Sequence, residues 1–218
     1  MMHPLPLLTP RRAHRRWHVS VLLMCGLLGG CVGASVEVPA TFPVPLVEKV
    51  PLTVGWHVDE ALANYVHSES LEAQGQWEII LGPSQTTMFG NLATGLFQDF
   101  RWVDDPLVAN PGLSAVFHPM IEELQFSTPE QTRSDYFEVW IRYQIKMYDN
   151  QGALLGEWPL TAYGKANEQN YGMSSDEPAL QQAALAACRD AMAFFTIQFH
   201  SVPVVKEWLA REMRGIGL

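Results

Sequence analysis

Leu28-Gly29-Gly30-Cys31 closes a short apolar run and places a cysteine thiol behind small residues. That arrangement suits one chemistry, lipidation of the thiol with cleavage just in front of it. Arg11, Arg12, Arg15 and Arg16 precede the run, and no acidic residue occurs before Glu37. The apolar stretch, Val19 to Leu28, spans about ten residues, against the roughly 20 needed to cross a bilayer. Residues 1–30 therefore read as a lipoprotein signal peptide, with an ordinary secretory signal that happens to contain cysteine, or a buried helix, as the plainer alternatives. Cys31 reads as the lipidated mature terminus, held to a membrane by acyl chains, palmitate among them. One chain alone binds a bilayer only marginally, so more than one is expected. No Ser-Arg-Arg-x-Phe-Leu context surrounds the arginine pairs, which points to general secretion. Asp directly after the lipidated cysteine commonly retains such a protein at the inner membrane. Val32 stands there instead, so the expected place is the outer membrane, facing the periplasm.

The rest of the chain offers little catalytic wording. His3, His14 and His18 fall in the leader, and His57, His67, His118 and His200 are scattered. No His-Glu-x-x-His or paired-cysteine spacing supports a metal, and no cofactor motif occurs, so neither is expected. His57 and Asp59 could share a strand face, with a solvated strand end as the plainer reading. A serine hydrolase would need a Gly-x-Ser-x-Gly elbow, which is missing. Gly82-Pro83-Ser84-Gln85-Thr86 at a helix start could offer amides to an anion. It lacks the lysine of a phosphate loop, so Ser84 reads as a helix cap. Glu122 and Glu123 are adjacent, so on a regular strand they face opposite sides and form no acid pair. Cys25 leaves with the signal and Cys31 carries lipid, so Cys188 has no disulfide partner. Its alanine-rich surroundings make it a small core residue, with a reactive thiol beside Arg189 as the sharper alternative.

Charge narrows the classes further. The chain carries 14 basic and 23 acidic residues; losing the four leader arginines leaves 10 against 23, a formal net charge of −13. That surface is poor for nucleic acid, which rewards basic patches. It equally disfavours adhesion to anionic lipid through a polybasic segment.

Residues 31–50, with Pro39, Pro43 and Pro45, read as a tether that lifts a domain off the membrane. Residues 51–218 then suffice for a single domain with a sizeable core. Leu52, Val54, Trp56 and Val58 alternate as a half-buried strand. Residues 59–76 are ambiguous, with Ala61 to Val66 either a strand or a helical turn. Trp77 to Leu81 is a further strand. Met88, Phe89, Leu92, Leu96, Phe97 and Phe100 follow helical spacing, and Arg101 to Val103 a short strand. Leu113 to Phe126 is extended, Pro119 marking an edge or a bulge. Phe137, Val139, Ile141, Tyr143, Ile145 and Met147 form the clearest alternation, and the Asp149-Asn150-Gln151-Gly152 turn returns residues 153–165 antiparallel. Ser174 to Pro178 opens a long helix with an apolar stripe from Leu180 to Phe195, and Pro203 starts a last helix.

This order predicts an α+β fold, a two-layer sandwich with a mainly antiparallel sheet and two helices on one face. The layout resembles YajG-like lipoproteins and the auxiliary lipoproteins of envelope ABC transporters. The wording from Phe126-Ser127-Thr128-Pro129 through Tyr136-Phe137-Glu138-Val139-Trp140-Ile141-Arg142-Tyr143 to Glu157-Trp158-Pro159-Leu160-Thr161-Ala162-Tyr163-Gly164-Lys165 is similar to a family of uncharacterised proteobacterial envelope lipoproteins. The resemblance implies an envelope role and transfers no active-site residue.

If both helices cover the apolar side, Tyr136, Trp140, Arg142 and Tyr148 share the opposite face and are available for contact. Trp, Tyr and Arg are the types that anchor interfaces, although loops or the tether could instead cover this face. Two functions follow. One is a non-catalytic accessory or binding lipoprotein in envelope transport or assembly, its partner an envelope protein or a lipid-like ligand. The alternative is a periplasmic enzyme acting on cell-wall or envelope substrates.

Overall fold

Alternation along one strand organises the whole domain. The computed structural model describes residues 33–172 and 176–215. The strands are β1 (Ala34–Glu37), β2 (Val50–Trp56), β3 (Val66–Leu71), β4 (Gly75–Ile80), β5 (Phe97–Trp102), β6 (Val116–Ser127), β7 (Tyr136–Tyr148) and β8 (Leu154–Asn167). The helices are α1 (Glu60–Ala63), α2 (Gly82–Leu96), α3 (Pro129–Thr132), α4 (Asp176–Gln198) and α5 (Pro203–Gly215), with 3-10 turns at Glu168–Tyr171 and Phe199–Ser201. Five strands pair in the order β5-β2-β6-β7-β8 and three in the order β1-β4-β3. The α+β layered architecture expected from the sequence is present. The long β6–β7 and β7–β8 ladders are antiparallel, whereas β2 runs parallel to both its neighbours.

Every second residue of β7 from Phe137 to Met147 is essentially fully buried. Leu160 and Ala162 of β8 and Phe117 and Leu124 of β6 extend the same apolar face. Helix α4 lies over β7 and β8 and touches β1, while α2 packs on α4, β2 and β5. The small sheet completes this second layer: Trp77 of β4 meets Phe126 and Phe137 with ring centroids 5.8 Å away. Alanines at 179, 183, 184, 187 and 191 let α4 sit close to the sheet. Closest of all is Gly164, where a Cβ would lie 2.2 Å from the Ala183 carbonyl oxygen. A buried relay joins the layers: the Tyr143 hydroxyl donates to Gln85 Oε1 at 2.9 Å, and the Gln85 amide reaches Cys188 Sγ at 3.5 Å.

Three local expectations are corrected. Residues 34–42 are not free tether: Ala34, Val36, Val38 and Phe42 are buried, and β1 pairs in parallel with β4 from Ala34↔Trp77 to Glu37↔Ile80. Small and β-branched residues alternating with Ser35 and Glu37 make a strand that the prolines obscured. Helix α2 ends at Leu96, so Phe97 and Phe100 belong to β5 rather than to the helical stripe, although Phe97 stays fully buried. Ser84 is not the cap. The helix starts directly after β4 with Pro83 in its first turn, where no amide is needed, and the Ser84 hydroxyl donates back to the Leu81 carbonyl at 2.8 Å. Ser174 and Ser175, expected before α4, lie outside the described residues. Residues 60–63 settle as the helical turn α1, and Pro119 lies where β6 has β7 as its ladder partner, the β2 pairing ending at Phe117.

Candidate binding face

The face of the five-stranded sheet opposite the helices carries three side-chain rows across β6, β7 and β8. Register places Ser127, Glu138 and Lys165 in one row, Gln125, Trp140 and Tyr163 in the next, and Glu123, Arg142 and Thr161 in the third. A strand rise of about 3.4 Å per residue sets the rows roughly 7 Å apart. Trp140 is 40% exposed and Tyr163 37%, and their rings lie 5.3 Å apart with a 38° tilt. They form one continuous aromatic platform. A groove of about 370 Å³ runs beside it, lined by Glu123, Gln125, Trp140, Arg142 and Thr161 among others.

A β-bulge completes the groove. Ile121 pairs with Tyr143 and Glu123 with Arg142, which leaves Glu122 as an extra residue in β6. The inward parity accordingly changes from Phe117 and Pro119 to Leu124 and Phe126. Glu122 and Glu123 are thereby brought to the same guanidinium: Arg142 Nε donates to Glu122 Oε2 at 3.1 Å, and its terminal nitrogen forms an ion pair with Glu123 Oε2 at 2.7 Å. The expectation that they face opposite sides is overturned. Both carboxylates are engaged by Arg142, so the geometry is that of a clamp rather than an acid–base pair. The apolar parity change between Ile121 and Leu124 is the signal that would have revealed it.

The four residues singled out from the sequence separate. Trp140 and Arg142 are exposed, two residues apart on one rigid strand. Tyr136 is half-buried at the end of the face, with the Lys165 ammonium 4.8 Å from its ring centroid. Tyr148 is a correction. The register shifts after Met147, and Leu113 and Val103 fold over Tyr148, leaving it only 8% exposed beside Val116. Tyr163, Gln125 and Thr161 were missed, although the outward parity of β8 includes Thr161, Tyr163 and Lys165.

Electrostatics hold the platform still. The Tyr163 hydroxyl donates to Glu138 Oε1 at 2.5 Å, and this bond to a carboxylate pushes the phenol up to about 12. Further along the face, His118 Nε2 donates to Asp59 Oδ2 at 3.1 Å, and its ring meets that of His57 edge-on at 4.6 Å. Asp59 also caps α1, accepting from the Leu62 amide at 2.7 Å, and the His57 Nδ1 donates to the Val103 carbonyl at 2.8 Å. Burial lowers His118 below the usual histidine range. Asp59 ends below its usual range because these hydrogen bonds outweigh the burial that would raise it. The pair therefore fixes α1 against β6 instead of forming the solvated strand end expected. Among the described residues, no group of three or more His, Cys, Asp or Glu side chains is arranged to hold a metal. Burial pushes the Cys188 thiol up to about 11, which makes it inert rather than reactive.

Cys31 and the signal segment lie outside the described residues. Within those described, no helix is long and apolar enough to cross a membrane.

The domain is thus a mixed α+β sandwich with one sheet face packed and one open. No family model matches the chain, and no curated protein matches it. Solved structures give partial likenesses. A Helicobacter pylori homologue of neuraminyllactose-binding hemagglutinin aligns at 10% identity and a TM-score of 0.46, covering 82% of this chain and 100% of its own. A DUF330 protein from Xanthomonas campestris aligns at 10% identity and 0.45, covering 78% and 97%. A minor lipoprotein from Acinetobacter baumannii aligns at 12% and 0.41, covering 72% and 94%. Likenesses at this level carry no argument about what this chain does.

Proposed function

We propose that this chain is a non-catalytic lipoprotein of the outer membrane, anchored by acyl chains on Cys31 and facing the periplasm. It serves as an accessory or binding component in envelope transport or assembly. The address rests on the arginine-rich start, the short apolar run, Leu28-Gly29-Gly30-Cys31 and Val32 after the cysteine. The accessory role rests on the order of elements in the sequence, which resembles that of YajG-like and ABC-transport auxiliary lipoproteins. Binding rests on one observation above all: Trp140 and Arg142 stand exposed on a strand paired on both sides, whose other face is fully packed. Anchors on a rigid element bind without first having to be ordered. The apolar face itself is filled by α2, α4 and the small sheet, so a lipid-like ligand would have to use the open side.

Two experiments test the two halves. Cys31→Ser is expected to release the protein from membranes or to leave an uncleaved precursor; normal maturation with membrane retention overturns the anchor. A photo-crosslinking residue at Gln125 is expected to capture an envelope component in cells. Trp140→Ala with Arg142→Ala should abolish that adduct while the melting temperature stays within a few degrees, since desolvated aromatic and Arg anchors typically cost at least about 2 kcal/mol each when truncated. Unchanged capture by the folded double variant rejects this face.

A further inference from the structure

We propose that the groove across β6, β7 and β8 takes a neutral glycan chain, one pyranose stacking on the Trp140–Tyr163 platform while its hydroxyls bond to Glu123, Gln125 and Thr161. This rests on the open face being the binding surface, and it names the ligand's chemistry. A pyranose ring has an apolar face of C–H groups, whose slightly positive hydrogens suit the negative face of an aromatic ring. Its rim carries hydroxyls that both donate and accept. Beside the platform stand groups of both kinds: carboxylate oxygens, the Gln125 amide and the Thr161 hydroxyl. Among the described residues the Thr161 hydroxyl makes no hydrogen bond, and Gln125 spends only its NH2, on Glu123 Oε1 at 2.6 Å.

Three features favour a sugar over other occupants. The groove, at about 370 Å³, has the size of a small-ligand site. A stable protein interface instead covers roughly 800 Å² per partner around a core depleted of charge. Here the platform is bounded on one side by Glu122, Glu123 and Arg142 and on the other by Glu138, which leaves no room for such a core. The second feature is charge. Among the described residues, Arg142 is the one cation that lines the groove, and it is already paired with Glu122 and Glu123, so no free cation is left there to hold a phosphate or carboxylate polymer. The third is preorganisation. Arg142 is clamped by two carboxylates and Tyr163 by Glu138, so the recognition groups are set before the ligand arrives.

The test uses the mature domain with a β-1,4-linked N-acetylglucosamine tetramer, a glucose tetramer and, as an anionic control, polyphosphate. Binding is read by NMR shifts of the Trp140 indole and the Tyr163 ring and by calorimetry. Saturable binding of at least one neutral tetramer is expected, with polyphosphate silent. Trp140→Ala should weaken it at least about tenfold, Trp140→Phe should retain most of it, and Thr161→Ala should cost a few-fold. Circular dichroism and thermal unfolding of each variant show that the fold persists. The proposal is overturned if neither tetramer binds, if binding survives Trp140→Ala, or if polyphosphate binds as well. A protein adduct at Gln125 without glycan binding would sink the glycan and keep the face; no adduct of any kind and no glycan binding would sink both.

Discussion

The two faces of β7 obey opposite rules. On one, Phe137, Val139, Ile141, Tyr143, Ile145 and Met147 are at most 1% exposed and locked under helices. On the other, Glu138, Trp140, Arg142, Gln144 and Lys146 keep some or much of their surface in water. Successive residues of one strand thus divide the work, since side chains alternate across the sheet. The packed face fixes the register, because a one-residue slip would expose every core residue at once. The open face is then free to vary without endangering the fold. An exposed tryptophan there adds little to the fold, which leaves it free for the recognition proposed above.

The largest effect should come from the packed side. Phe97 lies 5.5 Å from Phe117 and 5.4 Å from Phe199, ring to ring, and is fully buried. Phe97→Ala is expected to cost about 3–5 kcal/mol, from lost transfer free energy plus the cavity left behind. Trp140→Ala should stay within about 0.5 kcal/mol, as surface substitutions do. Denaturant titration of both variants measures the contrast. A Phe97→Ala loss below about 1 kcal/mol, or a Trp140→Ala loss of core size, would erase the distinction between the faces.

Next in size is the polar relay inside the packed layer. Tyr143 is fully buried, and its hydroxyl is bonded to the Gln85 side chain, which in turn reaches Cys188. Tyr143→Phe removes the donor and strands Gln85 Oε1 without water. The expected loss is about 1–3 kcal/mol, the cost of an unsatisfied buried acceptor. Thr161→Ala, which also removes one hydroxyl, should leave stability nearly unchanged because that hydroxyl faces solvent. Equal losses at the two positions would show that the open face is structurally committed too.

Which of this was legible in the sequence follows from range. The alternation of Phe137–Met147, the Asp149–Gly152 turn and the stripe from Leu180 to Phe195 are local patterns, and each appears where periodicity places it. Trp140 and Arg142 were found on the same basis, since outward parity follows once inward parity is set. The parallel pairing of β1 with β4 joins residues some forty positions apart, and no local pattern encodes it. The Glu122 bulge combines both kinds of information. Its cause is a local change of parity, but its consequence, two carboxylates on one guanidinium, depends on β7 lying alongside. Tyr148 fails for a similar reason: the loop carrying Leu113 covers it, and periodicity within the strand cannot foresee a loop from elsewhere.

The smallest predicted effect sharpens the comparison within the open face itself, by asking whether its platform is held or merely exposed. The Tyr163 phenol is pushed up to about 12, first by its bond to the Glu138 carboxylate and then by partial burial and the same negative charge. A raised folded-state value means that the protonated phenol is favoured in the native chain. In the unfolded chain the proton leaves near pH 10. The contribution to stability is therefore complete below about pH 10 and lost as pH rises towards 12. Because the side chain is more than a third exposed, water screens that contribution heavily. The readout is accordingly the titration and not the melting point. Ring-carbon NMR shifts of Tyr163, followed with pH, should place its midpoint near 12, and Glu138→Gln should return it towards 10. Glu138→Ala, which removes the acceptor altogether, should also free the ring, so that the Trp140–Tyr163 contact averages over several orientations. A Tyr163 midpoint that ignores Glu138→Gln would mean that the two side chains do not meet in solution, and that the platform is two separate exposed rings.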